Sequence, residues 1–233
     1  MAIKWNIIHR GVTESTNDDA ALGVHGDVYT ADYQLSGRGR IGHKWQSPSG
    51  VNLLMSAVLD VTDMAPEEVC TLPLVAGLSV AMAIRDIIGY NRDVKLKWPN
   101  DILIDSQKVA GILCERKSDK VIVGIGINVL KQDFPKEIAL RATYLGGETK
   151  IHQVRDGVLK WLSSLYCQWR EYGFASLWQK ISEIDFLKGR EVTICQVDDD
   201  KNAITGLCVG IMIDGSLQVG EHVIYAGEAH VKL

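Results

Sequence analysis

The chain has 233 residues, of which 46% are hydrophobic, and a formal net charge of −4. That length suits one full-sized domain with a small appendix, and the apolar fraction is sufficient for a sizeable core. The mildly acidic balance argues against a nucleic-acid-binding surface, which needs a clear basic excess. No apolar run approaches the roughly 20 residues that cross a bilayer, so we expect no membrane partner.

The N-terminus and the cysteines predict a cytoplasmic protein. The first residues, Met1 to Asn6, lack the charged-then-apolar layout of a signal peptide. The five cysteines are scattered and never form a Cys-x-x-Cys pair, so we expect free thiols in a reducing cytosol. The six histidines show no His-x-x-x-His spacing, and we therefore expect no metal held by the protein.

Hydrophobic patterns divide the chain into three regions. Four runs in the first region have the composition of strands: 28–33, 51–59, 109–115 and 121–129. An apolar segment at 67–88 has helical length, with Gly89 placed to end it. Residues 151–187 repeat apolar side chains at three- and four-residue steps, which predicts helices divided at Gly173. After Gly189, several short alternating runs predict a small barrel that leans on the main domain.

The most distinctive segment runs from Gln34 to Trp45 and alternates glycine with arginine. Its glycines fit the G-x-G-x-x-G fingerprint of dinucleotide-binding folds, but that fingerprint requires a helix to begin inside the motif, and the following residues favour a turn. Glycines let backbone amides approach an anion, and Arg38 and Arg40 offer planar donors that match phosphate oxygens. A solvated basic turn is the alternative. The segment has few apolar residues to pack with, so we expect a ligand to order it.

Two further segments place polar side chains at strand edges. In the segment 97–101, Lys-Trp-Pro-Asn-Asp, proline stiffens a bend and presents Asn100 and Asp101. Asp101 is a candidate for accepting a proton or coordinating a metal, and an ordinary turn is the alternative. Lys108 enters a buried strand beside Ala110 and Gly111, which leave room for a ligand. A merely solvated lysine is the alternative there.

Two short polar motifs complete the set of candidates. The hydroxyls and amide of Ser15, Thr16 and Asn17 can hydrogen-bond a polar ligand, and the same residues can cap the helix that follows them. The strand at 124–128 carries glycines that face something bulky. It ends at Asn128, whose donor and acceptor suit a purine edge.

Taken in this order, these segments resemble the catalytic domain of biotin protein ligases. The likeness extends over nearly the whole chain, because the last residues resemble that family's small SH3-like barrel. The resemblance implies an α+β fold, with a mixed β-sheet catalytic domain of the biotin/lipoate ligase type over residues 1–187 and a C-terminal SH3-like β-barrel over residues 188–233. The motifs that carry it are Ser15-Thr16-Asn17, Gln34, Gly37-Arg38-Gly39-Arg40 with Gly42 and Trp45, Lys97-Trp98-Pro99-Asn100-Asp101, Lys108-x-Ala110-Gly111-Ile112 and Gly124-x-Gly126-Ile127-Asn128.

The resemblance implies an AMP-forming ligase that joins biotin to ATP as biotinyl-5′-AMP and then transfers biotin to a lysine of a biotin carboxyl carrier protein. ATP would enter with Mg²⁺. The implied biotin contacts are Ser15, Thr16, Asn17, Gln34, Arg38, Gly39, Arg40, Lys108 and Gly111, with Leu113 on the apolar wall. The implied nucleotide contacts are Arg38, Arg40, Trp45, Asn100, Lys108, Asn128 and Tyr144. The implied catalytic set is Lys108, Arg38, Arg40 and Asp101, with Asp101 orienting or deprotonating the carrier lysine.

The sequence departs from the family pattern at two positions. Ile41 stands where some relatives carry a further arginine, and Tyr144 replaces a larger aromatic residue. Only 14 residues precede Ser15, so we expect the monofunctional form without a DNA-binding domain. A lipoate or octanoate ligase of the same superfamily is one alternative, although such enzymes lack this loop in combination with the segment 97–101. A non-catalytic sensor of biotinyl-AMP is another, which the set of cations argues against. The carboxylase that is modified and a homodimeric state are left open.

Overall fold

The structure, a computed structural model, describes residues 2–196 and 199–231. A seven-stranded mixed sheet forms its centre, in the order β1-β2-β3-β7-β6-β5-β4. Strands β1 and β2 are parallel, and every other neighbouring pair is antiparallel. The strands are β1 (Asn6–Thr13), β2 (Asp27–Gln34), β3 (Asn52–Asp60), β4 (Val94–Lys97), β5 (Asp101–Ile104), β6 (Gln107–Lys117) and β7 (Lys120–Asn128). The four predicted strands are confirmed as β2, β3, β6 and β7.

Strand β3 lies inside the sheet, between β2 and β7, and is buried on both faces, which explains its nearly uninterrupted apolar sequence. On one face it packs against the helix α4 (Ile151–Tyr172), which itself packs against α3 (Leu72–Ile88). On the other face, the short helix α1 (Thr16–Asp19) and the 3₁₀ turn at Ala20–Leu22 cover its side chains. The polar candidates Thr16 and Asn17 are thereby placed directly over the sheet.

The predicted helix at 67–88 is present as two pieces, α2 (Pro66–Val69) and α3 (Leu72–Ile88). Gly89 ends α3 and Gly173 ends α4, with φ of 79° and 73°, angles that favour glycine. Our expectation that no apolar run reaches the length of a membrane span is wrong for Pro66–Ile88. This segment has 23 residues, a mean hydropathy of 1.6 and 67% of its most apolar stretch buried inside the protein, as in a core helix.

The helix α4 buries the predicted apolar stripe, and α5 (Ala175–Glu183) follows it. The predicted helical region extends to residue 187, but α5 ends at Glu183. The reason is that residues 184–187 join the edge of the sheet instead. Leu96 of β4 donates its amide to the carbonyl of Ile184, and Phe186 donates its own to the carbonyl of Leu96.

The C-terminal region forms a second, five-stranded antiparallel sheet in the order β11-β10-β9-β8-β12, consistent with the predicted SH3-like domain. Residues 197–198 and 232–233 of that prediction lie outside the described residues. Apolar side chains of this sheet belong to the same core cluster as α3 and α4, so it leans on the main domain as expected. Its strands are β8 (Glu191–Gln196), β9 (Asp199–Ile211), β10 (Leu217–Val219), β11 (His222–Ile224) and β12 (Glu228–Val231).

One buried carboxylate ties the two sheets together. Asp185 is 7% exposed and accepts hydrogen bonds from the amides of Leu187 and Ile211, both at 2.9 Å. Burial raises the pKa of Asp185, while these amides counteract the shift. Two indoles reinforce the junction, because Trp98 donates to the Gly215 carbonyl and Trp178 to the Ile211 carbonyl. The C-terminal sheet is therefore fixed by polar contacts as well as by apolar packing.

We expect Asp185→Ala to lower the free energy of unfolding by about 2–4 kcal/mol, because two buried N–H groups lose their acceptor and only part of the cost is offset by removing a buried carboxylate. Asp185→Asn keeps one carbonyl acceptor and should lose less. Urea denaturation of both variants measures the difference. Equal stability of Asp185→Ala and the unaltered protein would show that the carboxylate does not act as a tether.

Candidate active site

A cavity of about 150 Å³ opens above the sheet, between α1, the glycine–arginine segment and strands β3, β5, β6 and β7. Nearly all of the predicted site residues line it, although they come from distant parts of the chain. From the predicted set these are Ser15, Thr16, Asn17, Gln34, Arg38, Gly39, Arg40, Trp45, Asn100, Asp101, Lys108, Gly111 and Leu113. Among the residues that the structure describes, no group of three or more His, Cys, Asp or Glu side chains could hold a metal ion.

The floor of the cavity is a pair of glycines on neighbouring strands. Gly111 of β6 lies opposite Gly126 of β7, and the indole of Trp45 lies over both. A Cβ atom at Gly126 would approach the Trp45 ring to 2.5 Å, and one at Gly111 would approach it to 3.2 Å. The predicted bulky group over the glycine strand is therefore, in this structure, the protein's own Trp45.

The end of the cavity next to α1 is a network of polar side chains. Gln34 Oε1 accepts from the Thr16 amide at 2.8 Å and from the Thr16 hydroxyl at 3.0 Å. The Ser56 hydroxyl lies 2.7 Å from Thr16 Oγ1 and 2.6 Å from Asn17 Oδ1. Ser15 occupies the N-cap position of α1, but its side chain makes no capping hydrogen bond. Gln34 is half-buried and the other members of this network are buried, so their hydrogen bonds hold them in fixed positions around a small space.

The glycine–arginine segment forms a tight hairpin rather than the start of a helix, which confirms the rejection of a dinucleotide-binding fingerprint. The amide of Gly39 donates to the His43 carbonyl at 2.7 Å, and that of His43 donates to the Arg40 carbonyl at 3.0 Å. Ile41 and Gly42 form the turn with φ of 51° and 72°, the left-handed pair of a type I′ hairpin. The side chain of Ile41 is exposed at this turn.

The cations of this hairpin have partners within the protein, and the ordering of the segment by a ligand stays a prediction. Arg38 forms ion pairs with Asp18 at 2.8 Å and Glu115 at 3.2 Å, and the hydrogen bond to Asp18 raises its pKa. The Arg40 side chain is half-buried, which lowers its pKa, and it donates to the carbonyl of Gly227, directly before β12, at 3.4 Å. His43 lies 3.2 Å from Glu228 of β12.

Lys108 and Asp101 form an ion pair at the middle of the cavity. Their Nζ and Oδ1 atoms are 2.6 Å apart, and the side chains are 39% and 20% exposed. A register shift between Ile102 and Leu103 in the β5–β6 pairing accompanies this arrangement. The Lys108 ammonium also lies 6.0 Å from the centroid of the Trp45 ring. The cation is therefore held between a carboxylate and the hairpin.

Two predicted nucleotide contacts, Asn128 and Tyr144, do not line the cavity. Asn128 is the last residue of β7, and it donates to the Thr143 carbonyl at 3.0 Å and accepts from Asn52 at 3.3 Å. Tyr144 stacks on Phe134 with the ring centroids 6.5 Å apart. Their side chains are engaged in holding the connection after β7, which explains why the structure does not bring them to the other candidates.

Sequence reasoning missed several residues that shape the site. Ser56 lies inside an apolar run, where a single hydroxyl gives only a weak signal. Glu115 accepts from both Asn17 and Arg38, and its place on an alternating strand could have identified it as facing the ligand side. Glu228 comes from the other sheet, and no local pattern indicates that it reaches the hairpin.

We expect Gly124→Ala to lower the free energy of unfolding by about 1–3 kcal/mol, the usual cost of overpacking. The added Cβ would overlap the Asn17 amide and disrupt its contacts with Ser56 and Glu115. Gly11→Ala is the matched control, since it changes another strand glycine with nothing within 4 Å of the new methyl group. Urea unfolding of the two variants tests this, and equal stability would contradict the tight contact at Gly124.

Comparisons with known proteins identify relatives of the chain. The model of the biotin/lipoate A/B protein ligase family matches residues 12–131. A biotin–[acetyl-CoA-carboxylase] ligase from Paracoccus denitrificans is 33% identical over 181 residues, 71% of this chain and 75% of the relative. The bifunctional ligase/repressor BirA of Bacillus subtilis is 37% identical over 154 residues, 63% of this chain and 46% of the relative. The chain thus spans about half the length of the first curated relatives it matches.

A solved structure resembles the chain over almost its full length. The biotin protein ligase from Aquifex aeolicus in complex with biotin and ATP superposes with a TM-score of 0.85 and 34% sequence identity, and the match covers 97% of this chain and 98% of that protein. The same fold is thus found in a protein whose structure was solved with biotin and ATP. The family match, the relatives and this superposition together establish that the chain belongs to the biotin/lipoate A/B protein ligase family, among the biotin protein ligases.

Proposed function

We propose that the chain is an ATP-dependent biotin protein ligase. The observation that carries the proposal is the Lys108–Asp101 ion pair, placed between a polar pocket at α1 and a hairpin with two arginines. This arrangement suits a substrate with a polar head and a carboxylate that must meet a phosphate. The relatives' names and the Aquifex complex with biotin and ATP support that choice of substrates.

The pocket at α1 is proposed to hold the ureido end of biotin. An ureido ring presents both N–H donors and a carbonyl acceptor, and the buried hydroxyls and amides of the network offer matching partners. Gly111 and Leu113 would form the wall along the acyl chain, which needs an apolar surface. The proposed biotin contacts are Ser15, Thr16, Asn17, Gln34, Gly39, Gly111 and Leu113, with Arg38, Arg40 and Lys108 at the carboxylate.

The first half-reaction requires two anions to meet, because the biotin carboxylate attacks the α-phosphorus of ATP. Lys108, Arg38 and Arg40 are proposed to neutralise this repulsion, as preorganised cations do at developing charge. Trp45 and Asn100 would contact the nucleotide from the same side of the cavity. Asn128 and Tyr144 remain proposed only as residues next to the nucleotide, since their side chains are engaged elsewhere.

Magnesium is proposed to enter on the phosphates of ATP rather than on a protein cluster. Asp101 and Glu228 are the two carboxylates that line the cavity in the described part of the chain. Single carboxylates of this kind fit an ion that keeps phosphate and water ligands, and the ion screens phosphate charge.

In the second half-reaction the lysine of a biotin carboxyl carrier protein is proposed to attack the biotinyl carbonyl, with AMP as the leaving group. Asp101 would orient that lysine or accept its proton. It is suited to this role because its carboxylate is partly buried, faces the cavity and is already oriented by Lys108. The attacking amine would in turn compete with Lys108 for the same oxygen atoms.

Residues 1–187 are proposed as the catalytic domain and residues 188–233 as the C-terminal domain, in a cytoplasmic enzyme that contacts neither nucleic acid nor membrane, with the homodimer left open. A lipoate or octanoate ligase would need a longer apolar tunnel in place of the buried polar network at α1. A non-catalytic sensor would have no need of the Lys108–Asp101 pair.

The test of the function is biotin-dependent exchange of pyrophosphate into ATP without carrier, followed by the mass of a carrier domain after incubation with biotin, ATP and magnesium. We expect exchange with biotin and a mass gain of one biotinyl group on one lysine. Lipoate and octanoate are the control acids. Exchange with either acid but not with biotin would overturn the assignment, and binding of biotinyl-AMP with neither exchange nor carrier labelling would favour the sensor.

We expect Lys108→Ala to lower the rate of adenylate formation by about a hundredfold or more, the usual effect of removing one preorganised donor from a transition state. Biotin alone should still bind, because a single anion is held by Arg38, Arg40 and the network at α1. Lys117→Ala is the control, since Lys117 is an exposed lysine at the far end of the same strand. Unchanged exchange in Lys108→Ala would assign Lys108 to the solvated surface.

A further inference from the structure

Lys97 lies at the edge of the sheet beside the cavity and is not among the residues that line it. It lies directly opposite Asp101 in the β4–β5 pairing, and Asp101 lies opposite Gly111. The row continues through Gly126 to Leu54 of β3. Residues directly opposite in antiparallel strands project from the same face of a sheet. Asp101, Gly111, Gly126 and Leu54 all line the cavity, so Lys97 ends the same row on the same face.

The Lys97 ammonium is half-buried, and among the described residues it has neither a hydrogen bond nor an ion pair. Burial lowers its pKa, and Asp101 and Glu228 counteract that shift at longer range. Lys108, in contrast, contacts Asp101 directly at 2.6 Å. A buried charge without a partner is costly in the absence of a ligand that compensates it. An anion that enters the cavity would be such a ligand.

The position of Lys97 across the sheet indicates which anion this is. The network at α1 lies beside β2 and β3, and the Lys108 ammonium lies over Gly111 of β6. Lys97 is two strands further from α1, about 10 Å beyond Gly111 at the usual strand spacing. A substrate whose polar head is at α1 and whose carboxylate is at Lys108 therefore does not extend to Lys97. The group that extends past Lys108 is the triphosphate.

We propose that Lys97 binds the β- and γ-phosphates of ATP and holds the pyrophosphate that leaves in the first half-reaction. This inference rests on the proposed function. In that step a carboxylate oxygen of biotin attacks the α-phosphorus, and the bond between the α-phosphorus and the bridging oxygen to the β-phosphate breaks. The electron pair stays on that oxygen, so negative charge develops on the leaving pyrophosphate. A cation at Lys97 stabilises this charge, while Lys108 serves the α-phosphate.

The proposal makes Lys97 specific to one half-reaction. Biotinyl-AMP has no β- or γ-phosphate, so transfer of biotin from it to the carrier does not use Lys97. Lys108 and Asp101, in contrast, lie where the adenylate itself is held. A half-buried lysine beside Asp101 could also take a proton from the carrier lysine, and a role of that kind would appear in the transfer step. The two half-reactions, measured separately, distinguish these roles.

The chain offers a matched control on the same strand. Lys95 lies two residues before Lys97 and projects from the same face, but it is already partnered, with Asp93 Oδ1 at 3.8 Å and the Glu183 carbonyl at 3.4 Å. We therefore expect Lys95→Met to leave both half-reactions unchanged. We expect Lys97→Met to lower kcat/KM for ATP in the exchange reaction by about a hundredfold, with unchanged biotin binding.

The experiment uses the full chain, chemically prepared biotinyl-AMP and a carrier domain. For Lys97→Met we expect unchanged transfer from biotinyl-AMP and a raised KM for pyrophosphate when the adenylate is driven back to ATP. Lys97→Arg should recover most of the exchange, because it restores the charge. Loss of transfer in Lys97→Met would overturn the proposal in favour of a role toward the carrier. Unchanged KM values for ATP and pyrophosphate would overturn it as well.

Failure of this inference is distinguishable from failure of the proposed function. If the unaltered protein shows no biotin-dependent exchange, the function itself is wrong. If it shows exchange and Lys97→Met matches Lys95→Met, the function stands and the role of Lys97 is wrong. Thermal melting of all variants gives the readout for folding. A lower melting temperature in Lys97→Met, together with an unrescued Lys97→Arg, would assign Lys97 to the fold and also overturn the proposal.

Discussion

The site depends on the close approach of side chains to the sheet at three positions where the strand residue is a glycine and has no Cβ atom. The Asn17 amide packs against the backbone of Gly124, and the Trp45 indole packs against Gly111 and Gly126. The methyl group of an alanine would overlap Asn17 at position 124 and Trp45 at position 126, and it would press against Trp45 at position 111. Because the glycines are on adjacent strands, the shallow region is continuous, and α1 and the hairpin can both settle on the same face of the sheet.

On this floor, the charges of the site are balanced within the protein. Lys108 is neutralised by Asp101, and Arg38 by Asp18 and Glu115. Such pairs keep the cations oriented, at the cost of contacts that an anionic ligand must replace. A phosphate can replace a carboxylate with little change of geometry, since both offer oxygen acceptors to the same donors. Lys97, which has no such internal carboxylate in contact, stands apart from this pattern.

The local features of the site were predictable from the sequence, because a short stretch of residues determines each of them. The turn at Ile41 and Gly42, the bend before Asp101 and the strand that carries Lys108 are local in this sense. The end of α5 was not predictable from the sequence. Backbone hydrogen bonds from Leu96, which is distant in sequence, hold residues 184–187 at the edge of the sheet and end the helix. The hydrogen bonds that Asn128 makes in this structure were not predictable for a similar reason. A strand-end amide suits a ligand as well as a neighbouring loop, and only the fold determines that it bonds the Thr143 carbonyl.

No local sequence pattern predicts that the C-terminal sheet contacts the hairpin. These contacts follow from how that sheet is anchored to the main domain. Strand β12 brings Glu228 to His43 and a backbone carbonyl to Arg40, so one side of the hairpin rests on the second sheet. That position is set by β8, to which β12 pairs, and β8 continues from the segment held by Asp185. Asp185, which is buried between the sheets, therefore helps to fix the position of Glu228 at the cavity. The geometry of the cationic hairpin is in this way a property of both sheets rather than of the glycine–arginine motif alone.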